Sequence, residues 1–192
     1  ADSDVATFTY KVTGGKNSVR KPFADINGHW AQNSIIKLVN LGAISGNPDG
    51  TFKPDSNITR AQYVTMLVKA FRIENQGGKV FADTASHWAR DYIAAAVAGG
   101  IASGYDNNNF GPNDAITREQ MATMVAKTAQ LMPQADGRTP FTDSSSISSW
   151  AVDAVAAAVN SGIISGYPDN TIRPQGNATK AEAVTVILNA LR

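Results

Sequence analysis

The sequence predicts an all-α fold in which three tandem helix-loop-helix repeats pack as a pseudo-threefold helical bundle. Three tryptophans, Trp30, Trp88 and Trp150, are separated by 58 and then 62 residues. Self-similarity at such a period is the signature of an array of supersecondary units. Glycines, prolines and threonines keep the same two steps, namely Gly42, Gly100 and Gly162, then Pro54, Pro112 and Pro174, then Thr59, Thr117 and Thr179.

The repeats are predicted to occupy residues 21–78, 79–138 and 139–192. Residues 1–20 are polar and then glycine-rich, apart from a β-favouring run at 7–12, so we predict a leader segment outside the repeats. The chain starts at Ala1 without a targeting segment. This start fits an exported protein after signal removal, and equally a shortened chain.

Composition excludes several classes of function. Lys and Arg number 17 against 16 Asp and Glu, so the net charge of +1 gives no broad basic field, and we expect no nucleic-acid partner. No run of about 18 apolar residues is present, so no membrane insertion is expected. The chain has no cysteine, which removes disulfides and thiolate metal sites. We predict neither a metal nor a cofactor.

The first helix of each repeat is predicted to begin beside the tryptophan, because Ala31, Ile35 and Leu38 share one helical face and the other repeats keep this spacing. The recurring glycine stands where a left-handed residue ends a helix. A loop with turn residues follows, as in Pro48-Asp49-Gly50. One apolar anchor, Phe52, Phe110 or Ile172, then precedes the proline that keeps the next helix from starting early.

The second helix is predicted to begin at the recurring threonine. Gln62, Gln120 or Glu182 follows that threonine three residues later, which is the reciprocal capping-box arrangement. Apolar residues cover most of the circumference of this helix. It is therefore predicted to be the more buried helix of each repeat, and three such helices would form a shared core.

A cation follows each capping threonine, as Arg60, Arg118 and Lys180. At the first position of a helix, the exposed N–H groups and the macrodipole already make the potential positive. A cation beside free N–H donors is what an anion-binding site requires. Alternatively, these side chains extend into solvent or pair with a carboxylate of a neighbouring repeat, such as Asp25, Asp83 or Asp143.

Two further sets of residues are candidates for ligand contacts. Glycine in the recurring Ser-Gly pairs would let a ligand approach the backbone, although a turn requirement also explains it. Tyrosines after two of these pairs, and the tryptophans, would stack on a sugar ring, although single tryptophans are more typical of a core. His29 and His87 precede two tryptophans, but Ser149 takes this place in repeat 3, so no catalytic base is indicated.

Together these motifs resemble the S-layer homology family. The resemblance rests on Phe-x-Asp, His-Trp-Ala, Gly-x-Ile-x-Gly and Pro-Asp-Gly-Thr-Phe-x-Pro, and on three relatives of the tetrapeptide Thr-Arg-Ala-Glu at 59–62, 117–120 and 179–182. It covers residues 21–192. Gln in place of Glu keeps the capping box of repeats 1 and 2. Lys180 replaces a planar guanidinium with an ammonium, so repeat 3 has the weakest of the three predicted sites.

The resemblance implies a cell-wall function without catalysis. Such modules form pseudo-threefold bundles and bind secondary cell-wall polymers of Gram-positive bacteria in grooves between repeats, often through pyruvylated N-acetylmannosamine. The arginine of the tetrapeptide would meet the pyruvate carboxylate. The implied ligand-binding residues are Arg60, Arg118, Lys180, Ser45, Gly46, Ser103, Gly104, Tyr105, Ser165, Gly166, Tyr167, Trp30, Trp88, Trp150, Asp25, Asp83 and Asp143. The implied location is the cell surface, and the isolated module is expected to be monomeric.

Two other functions stay open at this point. Helical repeats commonly present protein-binding faces, so a protein-interaction or lattice-assembly module is the second hypothesis. A glycan-cleaving enzyme needs an acid and a nucleophile or base at a defined separation. The repeated aspartates offer no privileged pair, so an enzyme is the least favoured hypothesis.

Overall fold

The computed structural model describes residues 23–134 and 136–192. The predicted leader at 1–20, with its β-favouring run, lies outside the described residues. Within them the chain contains only helices and loops, which confirms the all-α prediction. The helices are α1 Gln32–Asn40, α2 Arg60–Ala70, α3 Arg90–Ala98, α4 Arg118–Thr128, α5 Val152–Asn160 and α6 Lys180–Ala190, with short 3₁₀ helices at Ala24–Ile26, Ala82–Thr84 and Ser144–Ser146.

The first helix of each repeat ends where the glycine pattern predicts. Gly42 has φ 70°, and the N–H groups of Gly42 and Ala43 donate to the carbonyls of Val39 and Leu38. This is the Schellman pattern, in which a left-handed residue without Cβ closes the helix. Gly100 and Gly162 have φ values of 69° and 70°, so all three helix ends are alike.

The second helix of each repeat begins with the predicted capping box. The Thr59 hydroxyl accepts from the Gln62 N–H at 3.1 Å, and the Gln62 side chain accepts from the Thr59 N–H at 3.0 Å. Thr117 and Thr179 begin α4 and α6 in the same way. The capping residue is therefore fixed in all three repeats by two reciprocal hydrogen bonds.

The second helices form the centre of the molecule. Helices α2, α4 and α6 contact one another, and each also packs against the first helix of the next repeat: α2 on α3, α4 on α5 and α6 on α1. Side chains of different size fill equivalent central positions, since Tyr63, Met121 and Ala183 are all fully buried. Burying these apolar surfaces is the main stabilising contribution to the bundle. The predicted shared core is thus confirmed.

Backbone hydrogen bonds close the three repeats into a ring. The N–H of Ile58 donates to Ala178, the N–H of Ala178 donates to Ile116, and the N–H of Ile116 donates back to Ile58, at 2.9–3.0 Å. Repeat 3 therefore bonds to repeat 1 just as repeat 1 bonds to repeat 2. The arrangement is a closed pseudo-threefold bundle.

The same junctions occupy the N–H groups at the start of each second helix. Arg60 and Ala61 donate their backbone N–H groups to the carbonyls of Asp114 and Pro112 in repeat 2. The next N–H is taken by the capping threonine, and α4 and α6 repeat the pattern. The prediction of free N–H donors beside the cations is therefore wrong, because carbonyls of the neighbouring repeat satisfy them.

Candidate functional site

Each second helix places its first side chain in a groove formed with other repeats. The groove that contains Arg60 has a cavity of about 960 Å³. Its walls are the loop at 103–105 and helix α4, both of repeat 2, and the start of helix α5 in repeat 3 with Trp150. We call this the Arg60 groove, and name the equivalent ones the Arg118 groove and the Lys180 groove.

Arg60 is fixed in its groove by backbone carbonyls. Its Nε donates to the Phe110 carbonyl at 3.0 Å, and its Nη2 donates to the Ser103 carbonyl at 2.9 Å. The guanidinium lies 4.5 Å from the ring centre of Tyr105 and 4.6 Å from that of Phe110, within the range of cation–π attraction. The side chain is only 3% exposed, so the expectation that it extends into solvent is wrong.

The third guanidinium nitrogen of Arg60 differs from the other two. Among residues 23–134 and 136–192, no side chain or carbonyl accepts from Nη1, and no buried side-chain nitrogen in that part of the chain lacks a partner. Nη1 is therefore accessible from the groove. Burial lowers the pKa of Arg60, while Tyr105, Asp114 and Asp83 oppose this shift. Arginine nevertheless stays protonated, because its ordinary pKa is so high.

The Arg118 groove has the same framework but a different partner for that nitrogen. Arg118 donates from Nε to the Ile172 carbonyl at 2.7 Å and from Nη2 to the Ser165 carbonyl at 2.9 Å. Its Nη1 lies 3.2 Å from Glu182 Oε1, which also accepts from the Tyr167 hydroxyl at 2.7 Å. The carboxylate partner of this cation is therefore Glu182 and not one of the aspartates considered from the sequence.

The Lys180 groove holds a shorter cation in a smaller cavity of about 230 Å³. Lys180 Nζ donates to the Phe52 carbonyl at 3.4 Å, a long hydrogen bond. Burial, and next the charge of Lys53, lower the pKa of Lys180, whereas Asp25 opposes the shift. Ser45, Gly46 and Asn47 of repeat 1 and Trp88 of repeat 2 line the cavity.

The Ser-Gly pairs have a role that was not predicted. A Cβ at Gly46, Gly104 or Gly166 would overlap the ring of Phe23, Phe81 or Phe141, the phenylalanine of the Phe-x-Asp motif. Packing within the repeat therefore requires glycine at these three positions, and no left-handed turn is involved. Gly104 and Gly46 also line the Arg60 and Lys180 grooves, so a ligand contact there stays a prediction. The serines take part through their backbone, since the carbonyls of Ser103 and Ser165 accept from the arginines.

The three aspartates hold the loop that the arginines and the lysine contact. Asp25 accepts from the N–H groups of Phe52 and Lys53, at 2.7–3.1 Å. Asp83 and Asp143 accept from the equivalent N–H groups of repeats 2 and 3. Charge-assisted hydrogen bonds to a carboxylate are strong, so the aspartates fix the carbonyls that orient the cations.

The tryptophans are exposed, which corrects the expectation of a core position. Trp30, Trp88 and Trp150 are 64%, 62% and 58% exposed. Trp150 lines the Arg60 groove and Trp88 lines the Lys180 groove. The threefold arrangement puts Trp30 beside the Arg118 groove, because α1 follows Trp30 and packs on α6. Each groove therefore has an indole at its edge, where one face stays available for stacking.

Comparison with known families decides what kind of module this is. The S-layer homology domain matches residues 22–64, 80–122 and 140–184, which together are more than half of the chain. The chain belongs to the S-layer homology family. The S-layer homology domain is a cell-wall anchoring module without catalytic function of its own.

Relatives of this S-layer homology module occur in enzymes and in surface-layer proteins. An amylopullulanase of Thermoanaerobacterium thermosulfurigenes is 36% identical over 89% of this chain and 10% of its own length. An exoglucanase of Acetivibrio thermocellus is 35% identical over 94% of this chain and 17% of its own length. The S-layer protein EA1 of Bacillus anthracis is 31% identical over 87% of this chain and 20% of its own length. The chain thus spans at most a fifth of these three relatives.

Several residues of the S-layer homology grooves were not predicted as site residues. Gln120 and Glu182 were interpreted only as capping residues, yet Gln120 lines the Arg60 groove and Glu182 pairs with Arg118. Lys127 and Lys69 each add a second cation to a groove. His29 and His87 instead support the loops, each accepting a backbone N–H at Nδ1 and contacting Asp55 or Asn113 through Nε2.

Other features give no sign of membrane or metal chemistry in the described part. Within residues 23–134 and 136–192, no helix is both long and apolar enough to cross a membrane. The same residues contain no group of three or more His, Asp or Glu side chains placed to hold a metal ion. The grooves present fixed cations, amide and hydroxyl groups, aromatic faces and carboxylates, the last being Asp153 in the Arg60 groove and Glu182 beside Arg118.

Proposed function

We propose that this S-layer homology module attaches the protein that carries it to the surface of a Gram-positive bacterium. It does so by holding an anionic, pyruvylated secondary cell-wall polymer in the grooves between repeats. The observation that carries the proposal is Arg60 Nη1, which faces a groove and has no acceptor among the residues that the structure describes. The equivalent nitrogen of Arg118 has a carboxylate partner, so a carboxylate is the chemistry that fits this position.

The surroundings of Arg60 suit a sugar that bears such a carboxylate. Trp150 offers an exposed indole face at the groove edge, and Gln120 and Thr123 provide polar groups along α4. An apolar sugar face on the indole, with hydroxyl and acetamido groups toward the polar wall, matches this distribution. A pyruvate ketal would then place its carboxylate on the guanidinium.

The expected contribution of the carboxylate is large because Arg60 is already desolvated. Hydrogen bonds to charged groups contribute roughly 1.5–3 kcal/mol, which corresponds to a 10-fold to 100-fold change in affinity. The guanidinium needs no reorganisation, since two carbonyls fix it before the ligand arrives. Removing the ketal should therefore weaken binding at least about 10-fold.

Calorimetry with a purified wall-polymer fragment tests the proposal. Binding is compared between the pyruvylated fragment and the same fragment after removal of the ketal. Arg60→Met keeps an aliphatic stem between Tyr105 and Phe110 but removes the charge. Arg90→Met is the matched control, because Arg90 is an exposed arginine paired with Asp91 on α3. We expect ketal removal and Arg60→Met to weaken binding, and Arg90→Met to leave it unchanged. Equal affinity for the two fragments would contradict the proposal.

Retention on purified cell-wall sacculi distinguishes this function from a protein-interaction or lattice-assembly module. The module should bind intact sacculi and be lost when the secondary polymer is stripped from them. Undiminished retention on stripped sacculi would instead favour a partner in the remaining wall or a protein partner.

A further inference from the structure

We propose that Glu119 positions Trp150 at the edge of the Arg60 groove, and so acts on glycan binding through the indole. The inference rests on the proposed function, because it concerns how one groove is held ready for its ligand. Repeats 1 and 3 have alanine at the equivalent place, as Ala61 and Ala181. A carboxylate at this place is therefore specific to repeat 2.

Glu119 is a buried carboxylate, only 3% exposed. Its Oε2 accepts from the Ser148 N–H at 2.9 Å, and its Oε1 accepts from the Ser148 hydroxyl and the Gln175 amide, both at 2.8 Å. Among the described residues, Glu119 takes part in no ion pair. Burying a charge is costly unless it is hydrogen-bonded, and hydrogen bonds to a charged group are strong. Glu119 therefore joins helix α4 firmly to two segments of repeat 3.

In repeats 1 and 2, a histidine connects the start of the first helix to the loop that follows the recurring proline. His29 Nε2 contacts Asp55 Oδ1 at 3.0 Å, and His87 Nε2 contacts Asn113 Oδ1 at 3.1 Å. Each histidine directly precedes the tryptophan of its repeat, and its Nδ1 accepts the N–H of the alanine that directly follows that tryptophan. These contacts hold the backbone on both sides of the indole.

Repeat 3 makes the same connection with different residues. Ser149 takes the place of the histidine, and Gln175 takes the place of the loop residue that the histidine contacts. Glu119 supplies the link from the neighbouring repeat, because one of its carboxylate oxygens binds both Ser148 and Gln175. The glutamate of repeat 2 and the changed residues of repeat 3 thus meet in one hydrogen-bonded cluster. We infer that Glu119 replaces the missing histidine.

The segment that Glu119 holds leads directly to Trp150. Residues 148–151 form a turn, in which the Ala151 N–H donates to the Ser148 carbonyl at 2.8 Å. Ala151 is fully buried, so packing fixes the end of the turn, whereas Glu119 fixes its start. Trp150 lies between these two anchors, with its indole 58% exposed at the groove edge. Because a largely exposed side chain has few contacts of its own, the position of the indole depends on the turn.

A fixed turn raises affinity because ordering a mobile side chain costs free energy. A ligand that must first immobilise such a side chain binds roughly 2-fold to 10-fold more weakly than one that finds it in place. The variant Glu119→Ala removes the link to the turn. It recreates the alanine of the other two repeats and leaves the capping box of Thr117 and Gln120 intact, so helix α4 is expected to persist.

Two measurements on ¹⁵N-labelled protein test the inference, one without ligand and one with it. The heteronuclear NOE of the three indole N–H groups, assigned by Trp→Phe variants, reports their mobility in the free protein. A titration with pyruvylated N-acetylmannosamine then gives the affinity at each indole. In Glu119→Ala, we expect the NOE of Trp150 to fall and the affinity there to drop roughly 2-fold to 10-fold, while Trp88 keeps both values.

Three further variants separate positioning from a general loss of stability. Glu119→Gln keeps one oxygen that accepts the Ser148 N–H, so Trp150 should be restored toward its NOE and affinity in the unmodified protein. His87→Ala removes the corresponding connection in repeat 2, so it should affect Trp88 and leave Trp150 unchanged. Ser148→Ala removes one contact of the carboxylate without altering α4, and should give a smaller effect at Trp150 even if Glu119→Ala does not fold. A general loss of stability would affect both indoles in every variant.

The outcomes separate this inference from the proposed function. If the NOE or the affinity at Trp150 is unchanged in folded Glu119→Ala, or if Trp88 changes equally, the inference fails and the proposed function stands. If no indole of the unmodified protein responds to the sugar, the proposed function fails and takes with it the role of Glu119 in binding. The NOE without ligand would then still show whether Glu119 holds Trp150.

Discussion

The Arg60 and Arg118 grooves share a motif and a framework, yet in the described part of the chain Nη1 has a carboxylate partner in Arg118 and no acceptor in Arg60. In each groove the helix start, the capping threonine and two carbonyls bring an arginine to the same place. The residue three positions into the facing helix then differs, as Gln120 or Glu182. Both residues cap a helix, but only the carboxylate neutralises an arginine. Motif spacing therefore fixes the position of the cation, whereas one further residue decides whether a carboxylate pairs with it.

The largest effect should come from Arg118→Ala, measured as the free energy of unfolding in urea. Removing this arginine leaves Glu182 without its cation and two buried carbonyls without their donor, so we expect a loss of about 3 kcal/mol. Arg60→Ala should cost less, about 2 kcal/mol, because no carboxylate is left unpaired. Adding Glu182→Gln to Arg118→Ala should recover part of the loss. Equal losses for the two alanine variants would mean that the ion pair contributes nothing.

A smaller effect is expected from raising the pH, which should separate the lysine groove from the arginine groove. Burial, and then the charge of Lys53, lower the pKa of Lys180. As pH rises, Lys180 therefore loses its proton before the pH reaches the ordinary lysine pKa of about 10.4. The protonated ammonium holds the anion, so affinity for the pyruvylated sugar should fall several-fold in the Lys180 groove as pH rises from about 8 to about 10. A titration of ¹⁵N-labelled protein measures this affinity from the indole N–H resonance of Trp88, and the affinity in the Arg60 groove from that of Trp150. Arg60 stays charged over this range, so affinity at Trp150 should change little.

Each of these two grooves also contains one exposed lysine, Lys69 or Lys127, so the contrast between them removes the contribution of that lysine. Lys53 acts on Lys180 alone, because Gly111 takes its place in repeat 2. The variant Lys180→Arg should remove the extra pH dependence at Trp88. If both resonances lose affinity in parallel, the exposed lysines and not Lys180 are responsible.

The smallest effect on stability is expected for Trp150→Ala. The side chain is largely exposed, so the free energy of unfolding should change by no more than about 0.5 kcal/mol. Affinity for the pyruvylated sugar should nevertheless fall several-fold, since the stacking face is lost. Val80→Ala is the matched control, because Val80 is an exposed apolar side chain that lines neither cavity, and it should leave binding unchanged. A loss of stability without a loss of binding would contradict the assignment of Trp150.

The helices and their ends could be predicted from the sequence because their signals are local. Thr59 and Gln62 are three residues apart, and Gly42 directly follows the helix that it ends. These patterns depend on backbone geometry within a few residues. The number of repeats followed from spacing alone, and the family resemblance added the bundle.

The site could be predicted only in part, because its decisive contacts join different repeats. Arg118 and Glu182 are 64 positions apart, and only the closed packing brings them together. The exposure of the tryptophans could not be predicted either, because tryptophans at groove edges and tryptophans in a core would recur at the same spacing along the sequence. The sequence shows that Phe81 and Gly104 recur in each repeat. It does not show that the phenylalanine ring packs against the glycine.

The ring of hydrogen bonds through Ile58, Ala178 and Ile116 makes the triplet of repeats the smallest unit that contains a complete groove. An open helical array can lose an end repeat and keep the rest, whereas a closed ring has no end repeat to lose. The Arg60 groove takes its cation from repeat 1, its loop from repeat 2 and its indole from repeat 3. Deleting any one repeat would therefore dismantle every groove at once. If the grooves hold the wall polymer as proposed, further binding sites could be gained only by adding whole triplets.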